Sequence, residues 1–137
     1  MSTQLKPPIF SKLNSVTRPS EFRTIDYDVH VYYEVDKESR NEAELLRGRM
    51  KERFAPNEVY VGEMIDEPVG PHLLPMWEAN LSASSFLDVV EWLMENRGSL
   101  VILVHKLTGN HYWDHTAGAL FMGGVAPLNL EFLRQLK

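Results

Sequence analysis

The residues of this chain that could do chemistry are chiefly histidines. The chain has five of them: His30, His72, His105, His111 and His115. Three lie within residues 99–116, SLVILVHKLTGNHYWDHT, where an apolar run ends at His105 and a Thr108-Gly109 turn follows. A buried strand that ends in such a cluster is typical of the wall and rim of a polar site, so we expect His30 and His72 to converge there. Imidazoles brought together in this way could bind a divalent metal ion or transfer protons.

The strongest strand pattern in the chain carries His30. Residues 24–35 alternate between apolar and polar side chains, which predicts a half-buried strand. The face predicted to enter the core consists of Ile25, Tyr27, Val29, Val31, Tyr33 and Val35. The opposite face is polar and consists of Asp26, Asp28, His30, Tyr32 and Glu34. His30 therefore shares its face with carboxylates.

The rest of the chain predicts three more strands and two long helices. The first helix begins at a capping box formed by Ser39 and Glu42 and ends before Pro56. The second helix is capped by Ser84 or Ser85 and ends at Gly98. The three strands cover residues 58–65, 75–81 and 99–105. His72 lies in the proline-rich loop between the second and third strands. Strand parity turns Trp77 toward the core and places Glu78 on the opposite face. Residues 117–125 are ambiguous, and Asn129 is expected to cap a short final helix.

This order of elements predicts an α+β fold, the ferredoxin-like βαββαβ sandwich. Two helices would cover one face of a four-stranded antiparallel sheet, with the first strand between the third and the fourth. The face left uncovered by the helices would carry Asp28, His30, Glu78 and His105. Because such a face is usually capped by a second subunit or by the chain's own ends, we expect a homodimer. Residues 24–137 would form this single domain, and the prolines of residues 1–23 predict an extended N-terminal arm.

Composition excludes several classes of function. The formal net charge of −5 argues against a general nucleic-acid surface, which needs a basic face. The absence of cysteine excludes disulfides and thiolate metal sites. No apolar run approaches the roughly 18 residues of a membrane span, and the first residues lack the apolar core of a secretory signal. A cytoplasmic location is therefore the default expectation, with no membrane and no nucleic acid as partner.

Five short motifs, taken in order, resemble the DOPA 4,5-dioxygenase family. They are Asp28-Val-His-Val-Tyr-Tyr, Val69-Gly-Pro-His72 with Pro75-Met-Trp-Glu78, Asn96-Arg97-Gly98, Leu103-Val-His105 with Thr108-Gly109, and Asp114-His115-Thr116. The resemblance runs from about Thr24 to Leu130. It implies a small ferredoxin-like protein related to the extradiol enzymes, which open a catechol ring beside its hydroxyls using non-haem iron. Two positions depart from the family pattern: Asp28 stands where a histidine is expected, and Lys106 stands where a proline is expected.

The resemblance implies a metal site. His30 and His105 would be its histidine ligands, and Glu78 or Asp28 would supply the carboxylate. A ferrous ion held by two histidines and one carboxylate keeps open positions for a catechol and dioxygen. The implied cofactor is therefore Fe(II), with zinc or another divalent metal also possible in purified protein. Asp28 is either a ligand in place of imidazole or the mark of a member that has lost or changed its metal.

The remaining candidates would contact the substrate. His72 and His115 are assigned as acid/base or substrate-orienting groups, since the ordinary pKa of histidine lies near working pH. Tyr32 and Trp113 are candidates for the wall of an aromatic pocket. The implied function is an extradiol dioxygenase that acts on a small aromatic diol, such as DOPA, together with dioxygen.

Several residues of these motifs also have a purely structural interpretation. His30 could be satisfied against a tyrosine, His72 could cap a turn, Asp114 could be a helix N-cap, and Glu78 could be solvated. The alternative function is then a non-catalytic ferredoxin-like dimeric module that binds a small ligand or a partner on its uncovered face. A third possibility is a metal-free oxygenase. Oxygen uptake with a panel of catechols, before and after chelation, separates these three.

Overall fold

A computed structural model gives the structure of residues 25–136. The strands are β1 (Tyr27–Tyr32), β2 (Val59–Val61), β3 (Met76–Leu81), β4 (Val101–Lys106) and β5 (Leu120–Met122). The helices are α1 (Lys37–Arg53), α2 (Phe86–Asn96), α3 (His111–His115) and α4 (Leu130–Arg134), and a 3-10 turn, Ala83–Ser85, leads into α2. The predicted arm over residues 1–23 lies outside the described residues.

The strands form one antiparallel sheet in the order β2-β3-β1-β4-β5. The prediction that the first strand lies between the third and the fourth is confirmed. The predicted number of four strands is wrong, because β5 pairs with β4 and adds a fifth. β5 has only three residues within a glycine-rich stretch. So short a segment shows no clear alternation, which is why the sequence left it ambiguous.

Both long helices pack against the same face of the sheet. Buried residues of α1 and α2 join those of the sheet in one core cluster, which includes Ala43, Leu46, Met50, Val89, Leu93, Val29, Val31, Trp77, Ala79, Leu81, Ile102 and Val104. Trp77 faces the core as predicted, and its indole nitrogen donates a hydrogen bond to the carbonyl of Ala43 at 2.9 Å. Each large apolar side chain buried here contributes about 1.5–3 kcal/mol. Because burial of the apolar side chains of β1 in this core is favourable and successive side chains of a strand alternate, the polar side chains of β1 lie on the other face.

The start of α1 corrects one predicted cap. Asp36, and not Ser39, is the N-cap, because its carboxylate accepts a hydrogen bond from the backbone N–H of Ser39 at 2.8 Å. The hydroxyl of Ser39 instead accepts from the backbone N–H of Glu34, also at 2.8 Å. The expected capping box is therefore replaced by two bonds that join the end of β1 to the first turn of α1.

The two short C-terminal helices begin at asparagine caps. The side chain of Asn110 accepts from the backbone N–H of Trp113 at 3.0 Å, so Asn110 is the N-cap of α3. The interpretation of Asp114 as an N-cap is wrong, since Asp114 lies inside α3. Asn129 caps α4 as predicted and accepts from the backbone N–H of Phe132 at 3.1 Å.

The sheet face opposite α1 and α2 is covered by the chain itself. The loop between β2 and β3 lies on it, and the C-terminal segment after β4 lies beside that loop. His72 forms an isolated bridge to Leu128, and the backbone N–H of Asn129 donates to the carbonyl of Pro71 at 2.7 Å. A second apolar cluster forms beneath these segments and consists of Tyr32, Met76, Leu103 and Ala126. We expected a homodimer because the sheet face without helices needs a cover, and segments of the same chain provide this cover. The oligomeric state therefore stays a prediction.

Within residues 25–136, every helix is too short or too polar to cross a lipid bilayer.

Candidate metal centre

Four histidines meet on the covered face of the sheet. We call His30 of β1, His72 of the β2–β3 loop, His105 of β4 and His115 of α3 the histidine cluster. None of them is more than 7% exposed. The ring centroids of His30 and His72 are 4.2 Å apart, those of His105 and His115 are 4.3 Å apart, and His30 and His105 are separated by 5.2 Å. The predicted convergence of His30 and His72 on His105 is confirmed.

The strand register explains why two carboxylates share this face with the histidines. Asp28 lies directly opposite His105 in the β1–β4 ladder, and His30 lies directly opposite Glu78 in the β1–β3 ladder. Directly opposed residues point to the same face of a sheet. The two-residue repeat of three strands therefore brings both histidines and both carboxylates together.

Backbone carbonyls set the orientation of two rings. The Nδ1–H of His105 donates to the carbonyl of Lys106 at 3.0 Å, and the Nδ1–H of His115 donates to the carbonyl of His111 at 2.7 Å. A carbonyl only accepts hydrogen bonds, so each Nδ1 carries the proton and each Nε2 presents a lone pair. Metal-binding histidines are held in the same way by a partner on the other ring nitrogen.

Two inward-facing nitrogens of the cluster lie within hydrogen-bond distance of each other. The Nε2 atoms of His30 and His105 are 3.1 Å apart. Two nitrogens that each bind one ion at about 2.1 Å lie about 3.0–3.4 Å apart at ordinary ligand angles. The Nε2 atoms of His72 and His115 are buried without a hydrogen-bond partner among the described residues. Buried polar atoms usually have a partner, so both atoms fit positions that a bound ion or substrate would satisfy.

Two overlapping groups of three side chains could hold a metal ion. One group is Asp28, His30 and His105, and the other is His30, His72 and His115. Within each group the ligand atoms all lie within 4.8 Å of one another. His30 belongs to both groups. The buried cluster of histidines and aspartate therefore fits a divalent cation by the chemistry and spacing of its donor atoms.

Burial keeps the cluster in the form that binds metals. Burial lowers the pKa of all four histidines, and for His30 and His72 the neighbouring imidazoles lower it further. The pKa of His115 falls to about 4, first through burial and then through the nearby His105. Since free imidazole is half protonated near pH 6.5, the four rings are neutral at pH 7 and keep their lone pairs.

The two carboxylates are joined by one amide. The Nδ2 of Asn80 donates to Asp28 Oδ1 at 2.6 Å and to Glu78 Oε2 at 2.8 Å. Glu78 is 2% exposed, so the interpretation that it is solvated is wrong. Its Oε1 lies 3.8 Å from His30 Nδ1, on the opposite edge of the ring from His105. Asp28 thus lies with the ligand atoms, whereas Glu78 lies on the Nδ1 side of His30.

The two candidate aromatic residues have different surroundings. Tyr32 is buried, and its hydroxyl lies 2.7 Å from Nδ1 of His72, so it holds that ring in place. Burial raises the pKa of Tyr32, which keeps the hydroxyl protonated. Trp113 is 46% exposed, and its ring lies directly over Gly118. Tyr32 belongs to the cluster's surroundings, and Trp113 lies at the surface of α3.

Sequence reasoning missed how three residues hold the site. Asn80 bridges the carboxylates, and its parity with Glu78 on β3 was a usable signal. Met76 places its sulfur 3.3 Å from His30 Nδ1. Asp114 is buried and accepts bonds from the hydroxyl and the backbone N–H of Thr108 at 2.5 and 3.2 Å, which fastens α3, and with it His115, to the turn after β4. His111, to which we assigned no role, contributes only its carbonyl.

An open groove of about 470 Å³ lies beside the cluster. His115 and Thr116 form one part of its wall, and the rest comes from apolar residues of β5, the following loop and the start of α4. His115 therefore belongs both to the cluster and to the groove. This volume is within the range of small-molecule sites, about 300–1,000 Å³.

Comparisons with known proteins show which family the chain belongs to. The sequence profile of the Dopa 4,5-dioxygenase family matches residues 27–132. The chain is 35% identical to an uncharacterized 21.2 kDa protein of Botryotinia fuckeliana and 31% identical to the DOPA 4,5-dioxygenase of Amanita muscaria, over 81% and 79% of its own length. It spans 64% and 49% of the lengths of these two relatives.

A solved structure supports the same relationship. The crystal structure of a "putative dioxygenase" from Nostoc punctiforme PCC 73102 superposes with a TM-score of 0.75 at 39% identity, covering 85% of this chain and 96% of that one. Profile, relatives and structure thus extend over most of the described residues. The chain belongs to the Dopa 4,5-dioxygenase family.

Proposed function

We propose that the protein is an extradiol dioxygenase that opens the ring of a catechol beside its hydroxyls, with Fe(II) as cofactor. The observation that supports it most is the buried group of Asp28, His30 and His105, whose ligand atoms lie within 4.8 Å of one another. Two histidines and one carboxylate are the donor set typical of non-haem Fe(II) oxygenases. The named relative in Amanita muscaria is a DOPA 4,5-dioxygenase, which favours the same reaction class.

Asp28 is the better candidate for the carboxylate ligand, and Glu78 supports it from outside. Glu78 Oε1 lies 3.8 Å from His30 Nδ1. At this distance the carboxylate forms no hydrogen bond with the ring, but its negative charge favours a proton on Nδ1 and so leaves the lone pair on Nε2, the nitrogen that faces His105. In this proposal the departure from the family's histidine at Asp28 preserves metal binding. When bound, the ferrous ion would supply open coordination positions at which dioxygen is activated.

His72 and His115 would orient the diol. The Nε2 atom of His115 offers a lone pair, because its Nδ1–H is already given to the carbonyl of His111. With a pKa of about 4, His115 accepts a hydrogen bond from a catechol hydroxyl without taking up a proton at rest. His72 is held by the hydroxyl of Tyr32. In the overall reaction one ring C–C bond breaks and both atoms of dioxygen enter the product.

Reconstitution with ferrous iron tests this proposal. Purified protein is treated with chelator, loaded with Fe(II) without oxygen, and freed of excess metal. We expect about one iron per chain, and oxygen uptake with yellow product when unsubstituted catechol and air are added. Absence of oxygen uptake with every catechol tested, at full iron occupancy, refutes the dioxygenase. Uptake that persists after chelation favours a metal-free oxygenase instead.

Substitutions distinguish the two candidate ligand groups. Asp28→Asn keeps the shape of the side chain, and we expect it to lower iron affinity at least about tenfold, since ligand-shell changes commonly cost 10- to 100-fold or more. Asp88→Asn, an exposed residue of α2, is the matched control and should bind iron as the wild type does. Iron retained in Asp28→Asn but lost in His72→Gln and His115→Gln would assign the metal to the other group.

A further inference from the structure

We propose that the substrate is a catechol with an uncharged, apolar substituent, which lies in the groove beside His115. This inference rests on the proposed function, because it takes the diol of the substrate to lie at the histidine cluster. It goes further in naming the class of substituent and the surface that selects it.

The walls of the groove are apolar. Besides His115 and Thr116, the described residues that line its 470 Å³ are aromatic or aliphatic, among them Phe121, Val125 and Leu130. None of these described lining residues carries a charge. The charged residues of the adjacent α4, Glu131 and Arg134, lie within 3.5 Å of each other and so pair together.

The groove and the candidate metal centre share one side chain. His115 lines the groove, and its ring centroid is 4.3 Å from that of His105. Its Nε2 is buried without a hydrogen-bond partner among the described residues. A diol bound at this Nε2 would lie next to the apolar walls, and in this proposal its substituent occupies the groove.

Apolar walls disfavour a catechol whose substituent is a charged amino-acid group, as in DOPA. The substituent of DOPA carries an ammonium and a carboxylate, and no described lining residue carries a charge that could pair with either. An alkyl substituent gains from leaving water. One methylene group accommodated in a hydrophobic pocket is worth about 10- to 200-fold. We therefore expect at least about a tenfold preference for 4-ethylcatechol over DOPA.

The test measures binding and turnover separately on the full chain loaded with Fe(II). Without oxygen, calorimetry gives the dissociation constants of catechol, 4-ethylcatechol and DOPA. With oxygen, uptake gives kcat/KM for the same three. We expect 4-ethylcatechol to bind more tightly than catechol, and DOPA to bind at least about tenfold more weakly than 4-ethylcatechol. Equal or tighter binding of DOPA overturns the inference.

Two matched variants test whether the wall of the groove selects the substituent of the substrate. Val125 lines the groove and is 77% exposed, so Val125→Arg should be tolerated while placing a cation at the groove. Leu120→Arg adds the same charge on the other side of β5, because Leu120 alternates with Phe121 and is 53% exposed. We expect Val125→Arg to raise the affinity for 3-(3,4-dihydroxyphenyl)propionate relative to 4-ethylcatechol at least about tenfold, and Leu120→Arg to leave this ratio unchanged.

The outcomes separate the two proposals. Equal ratios in the two variants overturn the groove assignment. If 4-ethylcatechol binds with the expected preference but no catechol consumes oxygen, the substrate class stands as a ligand class and the dioxygenase is refuted. If catechol and DOPA are both opened with equal kcat/KM, the dioxygenase stands and the apolar selection is refuted.

Discussion

Mild acid should destabilise the metal-free protein at a pH where carboxylates are still ionised. The four histidines of the cluster have folded-state pKa values lowered by burial, whereas in the unfolded chain histidine titrates near pH 6.5. Below that pH the unfolded state binds more protons than the folded state. Stability is therefore complete above about pH 6.5 and is lost progressively as the pH falls toward the folded-state pKa values.

His115 gives the scale of this loss. Its pKa is about 4 in the folded protein, against about 6.5 when unfolded. Proton linkage then predicts that His115 alone costs about 1.4 kcal/mol between pH 8 and pH 5.5, and about 2 kcal/mol by pH 5. The other three histidines act in the same direction, because burial lowers their pKa as well. Domains of this size are commonly stable by only about 5–15 kcal/mol.

Urea unfolding in the presence of chelator, followed by tryptophan fluorescence at a series of pH values, measures the effect. The wild-type free energy of unfolding should fall steeply below pH 6.5, and His115→Gln should lose about 1.4 kcal/mol less than wild type between pH 8 and 5.5. Leu120→Gln, an exposed substitution that removes no titratable group, should follow the wild type. A wild-type stability that stays constant from pH 8 to 5.5 would refute the neutral, buried cluster.

Two further substitutions probe the groups that hold the site. Asn80→Leu removes the donor shared by two buried carboxylates, and at about 1.5–3 kcal/mol per bond to a charged group it should lower the free energy of unfolding by about 3 kcal/mol. Urea unfolding of the chelated protein measures this loss, and the control Asn41→Leu, on the exposed surface of α1, should change stability by less than about 0.5 kcal/mol. Equal unfolding midpoints for the two variants would contradict the bridging role of Asn80. Tyr32→Phe removes the 2.7 Å contact with His72 Nδ1 and should cost about 1 kcal/mol in thermal unfolding. If His72 orients substrate, Tyr32→Phe should also lower kcat/KM for catechol with unchanged iron content, and an unchanged kcat/KM would exclude that positioning role.

The covering segment gives the cluster its chemical character. On an open sheet face, His30 and His105 would be hydrated and would titrate near pH 6.5. The C-terminal segment places Ala126 over the sheet and joins Leu128 to His72. It excludes water from the cluster while leaving the groove beside His115 as a route of access. One stretch of chain thus both desolvates the site and shapes the space next to it.

Local pattern in the sequence determined which residues share a face. The alternation of residues 24–35 separated Val29 and Val31 from Asp28 and His30, because a strand turns successive side chains to opposite sides. The same parity put Trp77 in the core and Glu78 on the other face, as the structure has them. Cap residues were less predictable, since Asp36 and Ser39 can each cap a helix, and the choice between them depends on the path of the chain leaving β1.

Only the tertiary structure decided how the residues of that face meet. Register, which depends on pairing across the sheet, sets Asp28 opposite His105 and His30 opposite Glu78. The fifth strand and the covering segment follow from long-range pairing and carry little periodicity of their own. Burial, and with it the lowered pKa of the histidines, depends on what lies above each side chain in space. Sequence therefore determined the chemistry available on the face, and three-dimensional packing determined which atoms can act together.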